Sequence, residues 1–166
     1  MLLLASSDAQ HLVVKPEALE IDHFFICIYE QYYPYCEQHG HKLTLTIDDS
    51  LPQTVQGDKT LLTQVMGILI DNAVSYSIPK TPILLSVASV PGMLKVSVEN
   101  MSAPLSKEQR EKLFNRFYQV DPAQSSPSHF GLGLSIAKEI IDAHHGRIYL
   151  DSRQEQLFRI TFCIPI

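Results

Sequence analysis

Two β-rich runs, residues 83–90 and 93–99, are separated only by Pro91-Gly92. A Pro-Gly link this short suits an antiparallel hairpin, because a parallel crossover needs a dozen or more residues. The rest of the chain must be built around that hairpin. Ile21, Phe24, Phe25, Ile28, Tyr32 and Tyr35 recur at helical spacing and predict an amphipathic helix closed by Gly40, with Pro34 expected to kink or loosen its last turn. Asp58 is the expected N-cap of a second helix from 59 to about 77, whose apolar set is Leu61, Leu62, Val65, Met66, Leu69 and Ala73. Ser106-Lys107-Glu108-Gln109 reads as a capping box leading to Phe114, and residues 131–145 as a third long helix stopped by Gly146. Short strands are expected at 11–14, 42–47, 147–151 and 157–164. Helices and antiparallel strands alternating in blocks give a two-layer α/β sandwich.

Composition narrows the function classes. Hydrophobic residues make up 45% of the 166 and charged residues 19%, enough for one domain with a real core. No apolar run approaches the roughly 18 residues of a membrane helix. Met1-Leu2-Leu3-Leu4-Ala5 is too short for a signal peptide and lacks a basic leader. A net charge of −5 argues against nucleic acid as a partner. Cys27, Cys36 and Cys163 are odd in number and form no Cys-x-x-Cys pair, which fits a reducing compartment; Cys27 and Cys163 sit in apolar runs and are expected to be buried. His39, His41, His144 and His145 lack the spacing of a zinc site.

Four segments carry chemistry. Asp71-Asn72-Ala73 places an amide on the second helix; its neutral oxygen suits magnesium already partly held by phosphates, although a lone Asn there is more often a polar residue at a solvated edge. Asn100-Met101-Ser102-Ala103-Pro104 ends a strand in a tight turn, where an amide can read the edge of a base and small residues admit a ligand; an ordinary strand-to-helix connection has the same composition. Phe114-Asn115-Arg116-Phe117-Tyr118 sets aromatics beside a cation, before a Ser/Pro-rich stretch at 122–128 that reads as a mobile loop. Gly131-Leu132-Gly133-Leu134 opens a helix with exposed backbone N–H groups that favour an anion, without the Gly-Lys-Ser/Thr of a Walker A loop.

In their order and spacing, these segments closely resemble the catalytic ATP-binding domain of bacterial sensor histidine kinases. The resemblance runs from about Leu2 to Ile164 and includes His144-His145-Gly146-Arg147-Ile148 at a helix-to-strand junction. It implies the Bergerat fold shared with gyrase and heat-shock-90 ATPases: a mixed, mostly antiparallel sheet packed against three main helices, with ATP between the layers. It further implies that Asn72 binds Mg2+, that Asn100 faces the adenine amine beside Ser102, and that Tyr76 lies along the nucleotide. Phe114 and Phe117 would anchor a lid at 122–128. Arg116 would lie near the phosphates, and the backbone of Gly131, Leu132, Gly133 and Leu134 would meet them. Residues 1–10 would be the tail of a preceding dimerisation and phosphoacceptor helix, and 11–166 the domain itself. The acceptor histidine would lie on that separate segment. The expected partners are that segment, a response regulator and a second copy in the full-length homodimer, and the expected setting is the cytoplasmic side of a membrane-anchored parent.

The departures from the family pattern bear on activity. Ile68 stands one turn before Asn72, where relatives carry Asn or a catalytic Glu, and it cannot activate water. Ser75 stands where a Lys commonly reaches the phosphates, Ser102 and Pro104 replace glycines, and Gln119 replaces a frequent Arg. Each lost cation costs about 1–3 kcal/mol where partly desolvated, roughly ten- to hundredfold in affinity. Two alternatives therefore stay open: a degenerate domain acting as an interaction module, and a serine kinase of the anti-sigma type on the same fold.

Overall fold

The computed structural model describes residues 12–119, 132–151, 154 and 156–166. The expectations for residues 1–10, His11, the 122–128 stretch and Gly131 lie outside them. In chain order the elements are β1 (Glu17–Glu20), α1 (Ile21–Gln38), β2 (Leu43–Ile47), β3 (Thr54–Gly57), α2 (Lys59–Tyr76), β4 (Ile83–Val90), β5 (Met93–Met101), α3 (Lys107–Lys112), α4 (Gly133–Ala143), β6 (Arg147–Leu150) and β7 (Leu157–Pro165). Among the described residues the strands form a five-stranded sheet, β2-β4-β5-β7-β6, and a small β1-β3 pair. Only β2 and β4 run parallel, so the sheet is mixed and mostly antiparallel, as expected.

The Pro91-Gly92 hairpin forms. Val90 pairs with Met93, leaving those two residues as the turn, and Gly92 takes a φ of +73°. The ring of Pro91 holds its own φ near −65°, so the turn is type II rather than a primed type. From it, strand parity sorts the side chains. Ile83, Leu85 and Val87 of β4, Leu94, Val96 and Val98 of β5, and Phe158, Ile160, Phe162 and Ile164 of β7 are buried on one face. The register sets Val98 opposite Ile160 and Asn100 opposite Phe158, so Asn100 continues the apolar face to the end of β5. The other face carries Ser97 bonded to Thr161 and Glu99 paired with Arg159.

The helices cover the apolar face. α1 packs on β2, α2 on α1, α4 and β5, and α4 on β6 and β7. Asp58 caps α2 by accepting from the Leu61 N–H at 3.1 Å, and Ser106 with Gln109 forms the expected capping box on α3. α1 runs through Pro34 to Gln38 without interruption. Pro34 and Glu30, whose carbonyl loses its donor, both lie on the exposed side, where solvent can satisfy that oxygen.

Three expectations are corrected. The first strand is Glu17–Glu20 rather than 11–14: Pro16 brings no N–H to a ladder, the Lys15 N–H is taken by Asp58 Oδ2 at 2.9 Å, and pairing begins only at Glu17, opposite Gly57. Cys27 is exposed, because Phe24, Phe25 and Ile28 define the inward face of α1 and leave positions 26 and 27 outside. α4 spans Gly133–Ala143, and His145 rather than a glycine takes the left-handed conformation after it, at φ +60°. The His145 and Gly146 N–H groups then return to Asp142 and Ile141 in a Schellman closure. Gly146 is needed for space: a Cβ there would lie 2.1 Å from the Cys163 carbonyl oxygen on β7. Among the described residues no helix is long and apolar enough to cross a membrane.

Candidate functional site

α2 carries two neighbouring polar-bearing stripes. Ile68 and Asn72 lie one turn apart on one of them, and Gly67 and Asp71 on the next. The Ile68 stripe faces the start of α4, where a Cβ on Gly133 would come within 3.3 Å of Ile68 Cγ2. Ile68 is thus packed beneath the N-terminus of α4, and Asn72, one turn further along α2, is half-buried. Leu134, the next residue of α4, is also half-buried. By helix geometry the first N–H groups of α4 have no intrahelical acceptor, and Leu132 supplies no side-chain cap.

The third side of the corner is the end of β5. The segment after α2 is tied to it by the Ile78 N–H, which donates to the Met101 carbonyl at 2.8 Å. Asn100 is 1% exposed, and its Nδ2 makes a long contact of 3.4 Å to the Met101 carbonyl. Its Oδ1 is buried and has no hydrogen-bond partner among the described residues. Leaving such an acceptor unpaired costs about 1–3 kcal/mol, which makes Asn100 Oδ1 a candidate acceptor for a donor from outside the described residues. Ser102, also buried, spends its N–H on Gln156 and its hydroxyl on the Ala103 carbonyl.

The aromatic segment divides. Phe114 is half-buried and packs against the core, whereas Phe117 is 68% exposed and takes a left-handed φ of +63°. Arg116 reaches α4 and pairs with Glu139, each side chain being about half exposed (54% and 53%). Tyr76 is half-buried near the end of α2. The structure therefore sets the Ile68–Asn72 stripe of α2 against the start of α4, ties the segment after α2 to the end of β5 that carries Asn100 and Ser102, and sends Phe117 to the surface.

Sequence reasoning missed Glu139 and Tyr35 as neighbours of the site. Glu139 lies 23 residues from Arg116, and no local pattern joins them. Tyr35 was legible only as part of an apolar periodicity, yet its hydroxyl donates to Asp71 Oδ1 at 2.5 Å. Burial first, and then this bond to a carboxylate, holds the Tyr35 phenol well above its ordinary pKa. Of the four histidines considered as metal ligands, His41 and His144 have structural partners. His144 accepts from the Asp58 N–H at Nε2 and donates to the Ile140 carbonyl from Nδ1, and His41 Nδ1 donates to the Thr81 carbonyl. Among the described residues no group of three His, Cys, Asp or Glu is arranged to hold a metal.

A mixed, mostly antiparallel sheet with helices on its apolar face is the architecture of solved histidine kinase catalytic domains. Residues 57–166 match the family described as histidine kinase-, DNA gyrase B-, and HSP90-like ATPase, and the chain belongs to it. It is 37% identical over 121 residues to the sensor protein DltS of Streptococcus agalactiae, covering 73% of this chain and 30% of that protein. It is 33% identical over 168 residues to the sensor histidine kinase WalK of Bacillus subtilis, covering 99% of this chain and 27% of WalK. The chain thus spans about 30% of the length of these curated relatives. Solved structures share the fold. Full-length ShkA in complex with AMPPNP superposes with a TM-score of 0.79 at 21% identity, covering 93% of this chain and 32% of that one. The histidine kinase ThkA in complex with the response regulator TrrA gives 0.75 at 24%, covering 92% and 42%.

Proposed function

We propose that this chain is the catalytic ATP-binding domain of a sensor histidine kinase, which binds Mg·ATP and passes the γ-phosphate to a histidine on a separate phosphoacceptor segment. The observation that carries this reading is the buried, unpaired Oδ1 of Asn100, positioned to accept from the adenine amine. ShkA, which shares this fold, is solved in complex with AMPPNP, which supports nucleotide binding by a domain of this kind. In this reading residues 11–166 are the domain and 1–10 the end of the joining helix. A response regulator receives the phosphate next, as the ThkA–TrrA complex suggests by analogy. The parent is a membrane-anchored homodimer with this domain on the cytoplasmic side.

Asn72 offers its amide oxygen to magnesium, which when bound neutralises charge on the phosphates. Tyr76 flanks the nucleotide, and the backbone of Gly131, Leu132, Gly133 and Leu134 meets the phosphates at the positive end of the α4 dipole. Phe114 and Phe117 anchor the lid at 122–128. Arg116 turns to the terminal phosphate by giving up Glu139, an exposed pair worth about 0–1 kcal/mol and so readily exchanged. The acceptor imidazole attacks the γ-phosphorus, the bond to the β–γ bridging oxygen breaks, and ADP leaves. The nucleophile comes from the partner segment, so the domain's task is positioning and charge neutralisation. Ile68 keeps a water-activating base out of the site, which favours transfer over hydrolysis.

Calorimetric titration with AMPPNP and magnesium tests this. The wild-type chain is expected to bind, and Asn72→Ala to lose roughly tenfold or more in affinity. No heat from the wild type at millimolar nucleotide overturns the reading and leaves the interaction module.

A further inference from the structure

The seam between α1 and α2 is built around two tyrosine hydroxyls. The Tyr35 hydroxyl donates to Asp71 Oδ1 at 2.5 Å. One turn earlier on α2, Gly67 forms a notch for Tyr32: a Cβ on residue 67 would come within 2.5 Å of the Tyr32 hydroxyl oxygen. Tyr32 and Tyr35 also contact each other edge-on, with ring centroids 6.4 Å apart, and Tyr35 lies 4.6 Å from the His39 ring. Gly67 and Asp71 thus face α1, while the adjoining Ile68–Asn72 stripe, about 100° around the helix, faces α4. A helix held at two points one turn apart cannot roll about its axis, and its rolling would swing Asn72 away from the corner.

We propose that Tyr35 is a positioning residue for Asn72: its hydrogen bond to Asp71, with Tyr32 seated over Gly67, sets the rotation of α2 and so the aim of the Asn72 amide at the Mg-nucleotide. This rests on the reading of Asn72 given above. The hydroxyls do this work as neutral donors, since burial and the Asp71 carboxylate raise the pKa of both phenols.

The test titrates the full chain with AMPPNP in magnesium and again in EDTA, taking the magnesium-dependent gain in affinity as the readout. Tyr35→Phe keeps the ring contacts and removes only the hydroxyl. It is expected to cut that gain roughly three- to tenfold, leave the EDTA affinity unchanged, and have no further effect in an Asn72→Ala background. A full gain in Tyr35→Phe, an equal loss in EDTA, or the same loss on top of Asn72→Ala overturns the proposal while leaving the nucleotide site standing. A wild-type chain that binds AMPPNP equally with and without magnesium overturns the assignment of Asn72 and this proposal with it. If Tyr35→Phe does not fold, Asp71→Ala removes the acceptor and leaves both tyrosines, with the same outcomes expected.

Discussion

Asn100 occupies a position that burial alone would give to an aliphatic residue. It continues the Val96 and Val98 face of β5, yet it keeps an acceptor that nothing among the described residues satisfies. Asn100→Leu should therefore raise the melting temperature of the nucleotide-free protein by a few degrees, as an unmet oxygen is replaced by packed methyls. The same change should weaken AMPPNP binding about tenfold or more. Thermal unfolding and calorimetry on one variant check both signs; a stabilised protein that binds normally would remove Asn100 from the site. At this scale the motif residues were legible and their partners were not. Asn72 and Asn100 stand in recognisable short strings, but the pairing of Arg116 with Glu139 and of Tyr35 with Asp71 exists only once separate helices meet.

Helix interiors were read well from periodicity, because burial of one face imposes a 3.6-residue repeat on the side chains. Ends and short strands were read less well. β1 escaped recognition because its partner β3 lies 34 residues further on, and a four-residue strand with one buried side chain carries no alternation of its own. The closure of α4 shows the same limit: Gly146 suggested the helix stop, but the left-handed residue is His145. Gly146→Ala would drive a Cβ into the Cys163 carbonyl and against Ile141 and Ile164. We expect a loss of about 3 kcal/mol, lowering the melting temperature by roughly 6–12 °C. Gly92→Ala meets nothing within 4 Å and should cost only its left-handed φ, about 1–2 kcal/mol. Equal melting shifts in the two variants would show that the chain around Gly146 moves to accommodate the Cβ and that the close approach to Cys163 does not require a glycine.

Across the molecule, Asp58 joins three parts of the chain. Its carboxylate accepts from the N–H groups of Lys15 and Leu61, and its own N–H donates to His144 beyond α4. Burial alone would raise its pKa, but the backbone donors from Lys15 and Leu61, helped by His144, outweigh this and hold the carboxyl below its ordinary value. A depressed folded pKa means that this stability is present above the ordinary carboxylate range, about pH 4, and is lost as pH falls through the folded value. Asp58→Asn should therefore flatten the fall in stability below about pH 4 relative to wild type in denaturant titrations across pH. Parallel acid limbs would show that Asp58 is not the group responsible. The sequence by itself determined the layers, the central hairpin and the family, because side-chain periodicity and motif order are properties of the linear chain. Tertiary structure alone decided that Asn100 is buried with a free acceptor, that Ile68 lies beneath α4, that Phe117 is exposed and that Tyr35 grips Asp71. Those facts depend on which faces meet across distant segments, and the meeting is set by packing against a shared core rather than by any local pattern of residues.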